Sequence, residues 1–460
     1  MTAGAAPGRP GNLTPEQEEK LRRLWQLIFQ VCGVGQEQNG AGADSSSAAE
    51  KAQDAEAKKS KKSRMSLFSR KGRKESDAES TSGAPANAPV VLNLGKDGDD
   101  KYGQTKQFYD TLASQSPESI RDTIWSMVKH DHPDALVLRF LRARKWDVER
   151  ALIMLVSTMH WRAQEMKVDE DIMRNGEAAA LAAAKSTDPM TQKVSADFMT
   201  QIRKGISYVH GVDKQGRPLC FVNVRLHRQG EQTEESLERY TVYLIETCRM
   251  LLQPPVDTAT IVFDMTNFSM ANMDYAPVKF MIKCFEANYP ECLGTVLVIR
   301  GWLDPVVANK VHFTNNAKEM EEFIPMKHIP KDLEGEEDWT YQYVEPVEGE
   351  NDKLNDTETR DRLLAARQEL YKEYEETTLE WIQNPEGDKA SEIKARRNAI
   401  ANKLREDYWN VDPYLRARSY YDRIGVLQPG GKLNWYPEPK VNGDAPAPAP
   451  GPQTSADDID

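Results

Sequence analysis

Beyond Asp197 the sequence abandons helical spacing and sets short β-prone runs between longer helical stretches, which confines this part of the chain to an α/β layer. Strand candidates are residues 205–209, 219–226, 260–263 and 295–298. A helix over 234–252 separates the second from the third, and another from about 272 to 287 separates the third from the fourth. Strand, helix, strand in that order predicts parallel pairing through right-handed crossovers. The turn HGVDKQGRP joins the first two strands, with Gly216 and Pro218 setting its geometry.

Upstream, residues 134–166 read as two consecutive helices. The first holds ALVLRFLRARKW with a stripe of Leu136, Val137, Phe140 and Leu141. The second is capped by Asp147 and continues the core with Met154, Leu155, Thr158 and Trp161. Residues 178–184 favour a short helix or connector. Over 13–32, Leu21, Leu24, Trp25, Leu27, Ile28 and Phe29 recur at helical spacing, with Thr14 placed to cap and Pro15 suited to a first turn. That amphipathic face is expected to pack on the protein's own core in preference to a membrane. Residues 355–423 are helical and charged, with Leu363, Leu364, Leu370, Tyr374, Leu379 and Trp381 at apolar positions. Their closing run, DYWNVDPYLRARSYYDR, is aromatic enough to dock onto the main domain. The resulting division is a tail with an amphipathic helix (1–34), a disordered basic linker (35–105), a helical module (106–196), the α/β domain (197–345), a helical extension (346–428) and a disordered tail (429–460).

Apolar residues make up 39% of the chain and charged residues 29%, consistent with linkers too polar to offset their ordering entropy. Within the linker, residues 51–74 carry ten Lys/Arg against two acids, with Leu67 and Phe68 as apolar plugs. Such a run is drawn to anionic lipid at roughly 1 kcal/mol per basic residue near the surface, and equally describes a solvated basic linker. Ser60, Ser63, Ser66 and Ser69 lie in it, where phosphorylation would cancel its charge. A net charge of −12 disfavours general nucleic-acid binding. Five widely spaced cysteines, with no CxxC pair, read as reduced thiols and not as a disulfide framework or metal site. The longest apolar stretch, near 24–34, is too short to span a bilayer, so membrane contact is expected to be peripheral.

Four motifs occur in order: LRFLRARKWDVERA, DKQGRP, ANYPECLG and WLDPVVANKVHF. Together they resemble the CRAL-TRIO lipid-transfer family, of the secretory-fourteen, phosphatidylinositol-transfer type, over residues 108–339. The resemblance implies a mostly parallel α/β lipid-binding domain, preceded by an all-helical module and followed here by C-terminal helices. It also implies a hydrophobic cavity floored by the sheet and closed by a mobile helical gate. A lipid tail suits such a cavity because each buried methylene contributes about 0.8 kcal/mol, whereas its phosphate must meet fixed cations. In the phosphatidylinositol-transfer members a basic residue, a glutamate and a lysine do this. The matching positions are Arg144, Glu291 and Lys310. An arginine fork suits a phosphate diester, and the Glu/Lys pair suits inositol hydroxyls.

Four departures qualify the resemblance. Val307 replaces a threonine that often accompanies the lysine. Positions that hold phosphatidylcholine in some members fall near Val209, Cys220, Ala259 and Ile261, none of which suits that headgroup, so a sterol or isoprenoid is the expected second ligand. TVLVIRGWLDPV passes directly from Val298 to Ile299 and Arg300, about a dozen residues short of the family pattern, or some 18 Å of helix where the gate begins. A curtailed gate and a wrongly joined gene model both account for it. The usual Gly-Gly near the domain's end is EGE, at 334–336.

No nucleophile elbow, P-loop, HExxH or strand-linked GxGxxG occurs, so the expectation is a non-enzyme with no cofactor or metal beyond its bound lipid. His160 beside Trp161 and His312 beside Phe313 read as core or pocket-lining residues, and Asp264 as a cap after its strand. Expected partners are membrane lipids, the membrane surface and a lipid kinase, with no nucleic acid. The expected setting is cytoplasmic, with transient visits to endomembranes or lipid droplets. A scaffold with a defunct pocket is the competing class.

Overall fold

The computed structural model describes residues 5–35, 92, 100–301 and 310–437; the basic run 51–74, Val307 and the tail past residue 437 lie outside the described residues. Helix α1 (Pro15–Val31) starts at a reciprocal cap, in which the Gln17 amide donates to Thr14 and the Thr14 amide donates to the Gln17 side chain. Its Leu21, Leu24, Trp25, Leu27 and Ile28 are buried inside the protein. The helical module follows as α2 (Gln104–Ser114), α3 (Pro117–Val128), α4 (Pro133–Ala143) and α5 (Val148–His160). Ser116, His132 and Asp147 cap the last three. Two π-helical turns, Trp161–Glu165 and Val168–Met173, lead into α6 (Arg174–Ala183) and α7 (Pro189–Lys204), which Gly205 ends in the left-handed region.

Five strands then form one sheet in the order β1-β2-β3-β4-β5: β1 (Ser207–Val212), β2 (Pro218–Asn223), β3 (Ala259–Asp264), β4 (Leu293–Ile299) and β5 (Val311–Thr314). β1 and β2 are an antiparallel hairpin and every other pairing is parallel. Asp213 holds the hairpin by accepting the amides of Gln215 and Arg217 and the hydroxyl of Thr260. Between the parallel strands lie α8 (Glu234–Met250) and α9 (Tyr275–Lys283). After β5 come α10 (Ala317–Met320), α11 (Thr357–Gln383), α12 (Gly387–Leu415) and α13 (Tyr420–Arg423).

Several boundaries depart from the sequence expectation. β1 begins later because Gly205 belongs to the end of α7. β2 stops at Asn223, where Val224–Leu226 turns as a 3-10 helix. The helix expected over 272–287 starts at Tyr275 under an Asp274 cap and widens into a π turn, Cys284–Asn288. β5 has no counterpart in the strand candidates: four residues at a sheet edge are too few for alternation to register. His312 lies on it exposed, outside the core and the pocket lining, while His160 is half-buried. Asp264 accepts the Thr266 amide at 2.9 Å in the turn after β3, while Ser269 caps the next element, the 3-10 helix Met270–Asn272.

From 300 to 310 the connection between β4 and β5 has eleven residues. Fully extended these span at most about 36 Å, while the return along a four-residue parallel partner needs about 13 Å, so eleven residues are long enough to join the two strands. A peptide spanning Val298 and Ile299 is therefore expected in mass spectra of the native protein; its consistent absence, with flanking peptides present, favours the wrongly joined reading.

Register decides the two faces of the sheet. Cys220 pairs with Ile261 and Val222 with Phe263, and these pair on with Val296 and Val298, so all six share the front face. Leu219, Phe221, Val262 and Leu297 take the back, where Met320, Ile324, Ile329 and Leu333 seal them. The C-terminal helices are not an appendage. Tyr374, Trp381, Ile393, Ile400 and Leu404 share one core with Trp25, Trp125, Leu141 and Leu155, and Tyr408, Tyr420 and Tyr421 pack on the front of the sheet.

Candidate lipid site

The front face is covered unevenly. At the N-terminal ends of the strands Val209, Cys220, Ala259 and Ile261 are buried under Tyr408, Tyr421, Val426 and Leu427. Two residues further along, Val222 and Phe263 are only half-buried, as are Leu244 of α8 and Phe285 beside α9. The face then opens into a cleft of about 760 Å³ lined by Met265, Asn267, Phe268, Arg300, Gly301 and Asn315. This is the C-terminal edge of β3 and β4, where α/β sheets place ligands. The enclosed cavity expected from the resemblance is thus, among the described residues, an apolar trough with an open mouth. Beside it α9 buries none of its residues, and Met270, Met273, Tyr275 and Val278 are exposed there.

The trough wall is set by charge. Glu246 of α8 is fully buried and bonds Arg162, with Lys129 at 3.2 Å; Asp169 joins the same two cations at 3.3 and 2.7 Å. Burial opposes ionisation of Glu246, but Arg162, Lys129 and Arg249 together hold it well below the usual carboxylate range. This network fixes α8 to the helical module. Glu177 does the same for the C-terminal segment, accepting from Tyr243 at 2.6 Å, Tyr343 at 2.7 Å, the Tyr420 amide at 2.9 Å and Arg423.

Of the three residues singled out in the sequence, Glu291 lies within residues 287–293, Lys310 bonds that stretch and Arg144 reaches it only through Gln104. Arg144 donates to Gln104 at 2.6 Å, and Gln104 donates to the Ala287 carbonyl at 3.1 Å. Glu291 lies in the stretch itself, at φ 55°. Lys310 donates to the Leu293 carbonyl at 2.9 Å. Among the described residues no hydrogen bond or ion pair joins any two of them. Sequence reasoning passed over Arg139 and Arg142 of the same motif. Arg139 is buried and donates to the Glu291 carbonyl at 3.1 Å. Arg142 bonds the Gly8 carbonyl at 2.8 Å and, with Arg9, the Asp257 carboxylate; burial and the neighbouring Arg9 bring it down to about 10. Their apolar-stripe spacing, three residues apart beside Leu138 and Leu141, was the available signal for burial.

All five cysteines are free thiols, and among the described residues no group of three or more His, Cys, Asp or Glu is placed to hold a metal ion. No described helix is long and apolar enough to cross a membrane. The family profile described as CRAL/TRIO domain matches residues 202–335, and that described as CRAL/TRIO, N-terminal domain matches residues 104–157. A CRAL-TRIO domain-containing protein of Schizosaccharomyces pombe is 40% identical, the match covering 96% of this chain and 97% of that one. The chain belongs to the CRAL-TRIO family. Other CRAL-TRIO relatives include the Eremothecium gossypii phosphatidylinositol transfer protein CSR1, 36% identical over 93% of this chain and 100% of its own. The Saccharomyces cerevisiae phosphatidylinositol transfer protein PDR17 is 24% identical over 46% of this chain and 60% of its own. In this CRAL-TRIO chain the two profiles fall on the helical module and the sheet, leaving α1 and the C-terminal helices outside both.

Proposed function

We propose that the chain carries a single lipid, with its tails along the half-covered front face and its headgroup at residues 287–293, and exchanges it at membrane surfaces. The half-buried Val222, Phe263, Leu244 and Phe285, lying between the sealed end of the front face and the open cleft, carry this reading. Such a surface gains about 25 cal/mol for each Å² of apolar area that a ligand removes from water. Phosphatidylinositol is the ligand that Arg144, Glu291 and Lys310 suit, and both the CSR1 and PDR17 relatives are phosphatidylinositol transfer proteins by name. The role needs no catalytic group, metal or cofactor. Its setting is the cytoplasm with visits to endomembranes, where the loaded protein supplies lipid to a membrane or to a lipid kinase. A sterol or isoprenoid is the second ligand on the same reading, because Val209, Cys220, Ala259 and Ile261 offer a choline headgroup no partner and lie sealed under Tyr408, Tyr421, Val426 and Leu427.

Transfer of labelled phosphatidylinositol between vesicles tests the proposal. The wild type is expected to transfer it and to leave phosphatidylcholine at background. Lys310→Glu removes a charge-assisted contact worth about 1.5–3 kcal/mol, an expected loss of about tenfold or more in phosphatidylinositol transfer. Equal transfer of both lipids, or an unaffected Lys310→Glu variant, would sink the headgroup assignment. A wild type that neither transfers nor co-purifies with lipid points instead to the scaffold class.

A further inference from the structure

We infer that the C-terminal segment 408–427 is a fixed plug that sets the depth of the lipid trough, with Tyr421 and Leu427 deciding how long a tail it accepts. The inference rests on the reading that the trough takes a lipid. Its geometry is a boundary on one sheet face. The Cys220–Ile261 pair is buried under Tyr421 and Leu427, whereas the next pair along, Val222–Phe263, is half-open. The Val209 amide of β1 donates to the Tyr421 hydroxyl at 2.6 Å, which seats the ring across the end of the trough. Behind it, the void between Met250, Leu251, Tyr421 and Leu427 is too small for one water, so a tail has no further room in that direction. From Ile261 to Met265 at the mouth is four strand steps, about 13 Å.

The plug is braced. Arg416 bonds Asp412 at 2.7 Å and Asp422 at 2.8 Å, Arg423 bonds Glu177, and the Ala417 amide donates to the Met173 carbonyl at 3.0 Å. Those anchors lie on α6, on the π-helical turn before it, on α12 and within the segment itself, so the rings are held over the sheet by bonds outside the half-open face. A buried tyrosine covers about 150 Å² and a methylene about 30 Å², so deleting the ring opens room for about five methylenes.

The test is mass spectrometry of lipids extracted from the purified full chain. Tyr421→Ala is expected to shift the bound tails longer by up to about five methylenes, on the same areas. Leu427→Ala, a smaller deletion that spares the Val209 contact, shifts them in the same direction and serves if the first variant fails to fold. Tyr421→Phe keeps the ring and leaves tail length unchanged, whereas Val222→Phe fills the half-open floor and shifts it shorter. Loaded wild type with the same tail lengths in the Tyr421→Ala and Leu427→Ala proteins overturns the plug alone. A wild type that carries no lipid removes the underlying lipid reading, and this inference with it.

Discussion

Asp134→Ala is expected to destabilise the protein by about 3–5 kcal/mol, because it strands a buried guanidinium. Asp134 opens α4, is buried, and accepts from Trp25 of α1 at 2.7 Å, from Tyr374 of α11 at 2.9 Å and from both terminal nitrogens of Arg397 of α12 at 3.0 and 2.8 Å. Burial opposes its ionisation, and Arg397 nonetheless holds it below the usual range. Arg397 stacks on the Tyr374 and Trp381 rings and bonds the Thr378 hydroxyl, so it has no route to water when its carboxylate is removed. Replacing both partners, Asp134→Leu with Arg397→Leu, is expected to recover most of the loss, since neither buried charge then remains. Urea unfolding of the three proteins measures this. A single-variant cost below about 1 kcal/mol, the size of an exposed pair, would mean that the site is wetter than its burial implies.

The same network explains why the packing of the C-terminal helices was not legible in the sequence. Their helical character was legible in 355–423, and the aromatic run at its end does dock. What sequence could not convey is that α11 and α12 bury Arg367 and Arg397 instead of presenting them to solvent. A buried arginine on a charged helix looks like a surface arginine until its partner is known. Here the partners, the Lys129 carbonyl and Asp134, are 238 and 263 residues away. In contrast, α1, α5 and the parallel strands β2, β3 and β4 declared themselves through caps and periodicity, which are local. The candidate site divides along the same line. Motif order picked out Glu291 and Lys310, which lie in or bond residues 287–293, and Arg144, which reaches that stretch only through Gln104. The plug on the front face, a contact between 209 and 421, left no local trace beyond a cluster of aromatics.

These long-range contacts also assign work to parts of the chain outside the two family profiles. α1 and the paired helices α11 and α12 complete the core of the helical module, and segment 408–427 seals one end of the front face of the sheet. Their polar anchors are shared with α4, α6 and α8, which carry the motifs and the trough wall, so the extension belongs to the same folding unit as the ligand site.

Acid should loosen this arrangement at one identifiable point, the buried His130. It lies between α3 and α4, with its ring 5.8 Å from that of Tyr408 and 5.0 Å from that of Trp409 on α12. Neither ring nitrogen meets a hydrogen-bond partner among the described residues. Burial brings its pKa down to about 4; Asp131 and Asp412 oppose that shift, and Arg249 and Lys129 reinforce it. The folded state therefore keeps the ring neutral where the unfolded chain, titrating near 6.5, already takes a proton. Stability from this group is fully present above about pH 6.5 and is lost as pH falls toward 4, at about 1.4 kcal/mol per unit and about 3 kcal/mol in all. His130→Phe keeps a flat ring with no nitrogen to protonate. The variant should match the wild type at pH 7.5 and exceed it by about 2 kcal/mol at pH 5 in urea unfolding. Other titrating carboxylates act equally on both proteins, so the difference isolates His130. Parallel stability curves across that range would show that the ring is already protonated or reaches water in the folded protein. Because Tyr408 belongs to the plug, a wild type held near pH 5 should lose the seating of that segment before the sheet beneath it, which hydrogen exchange at Tyr421 and Val209 would register as early loss of protection.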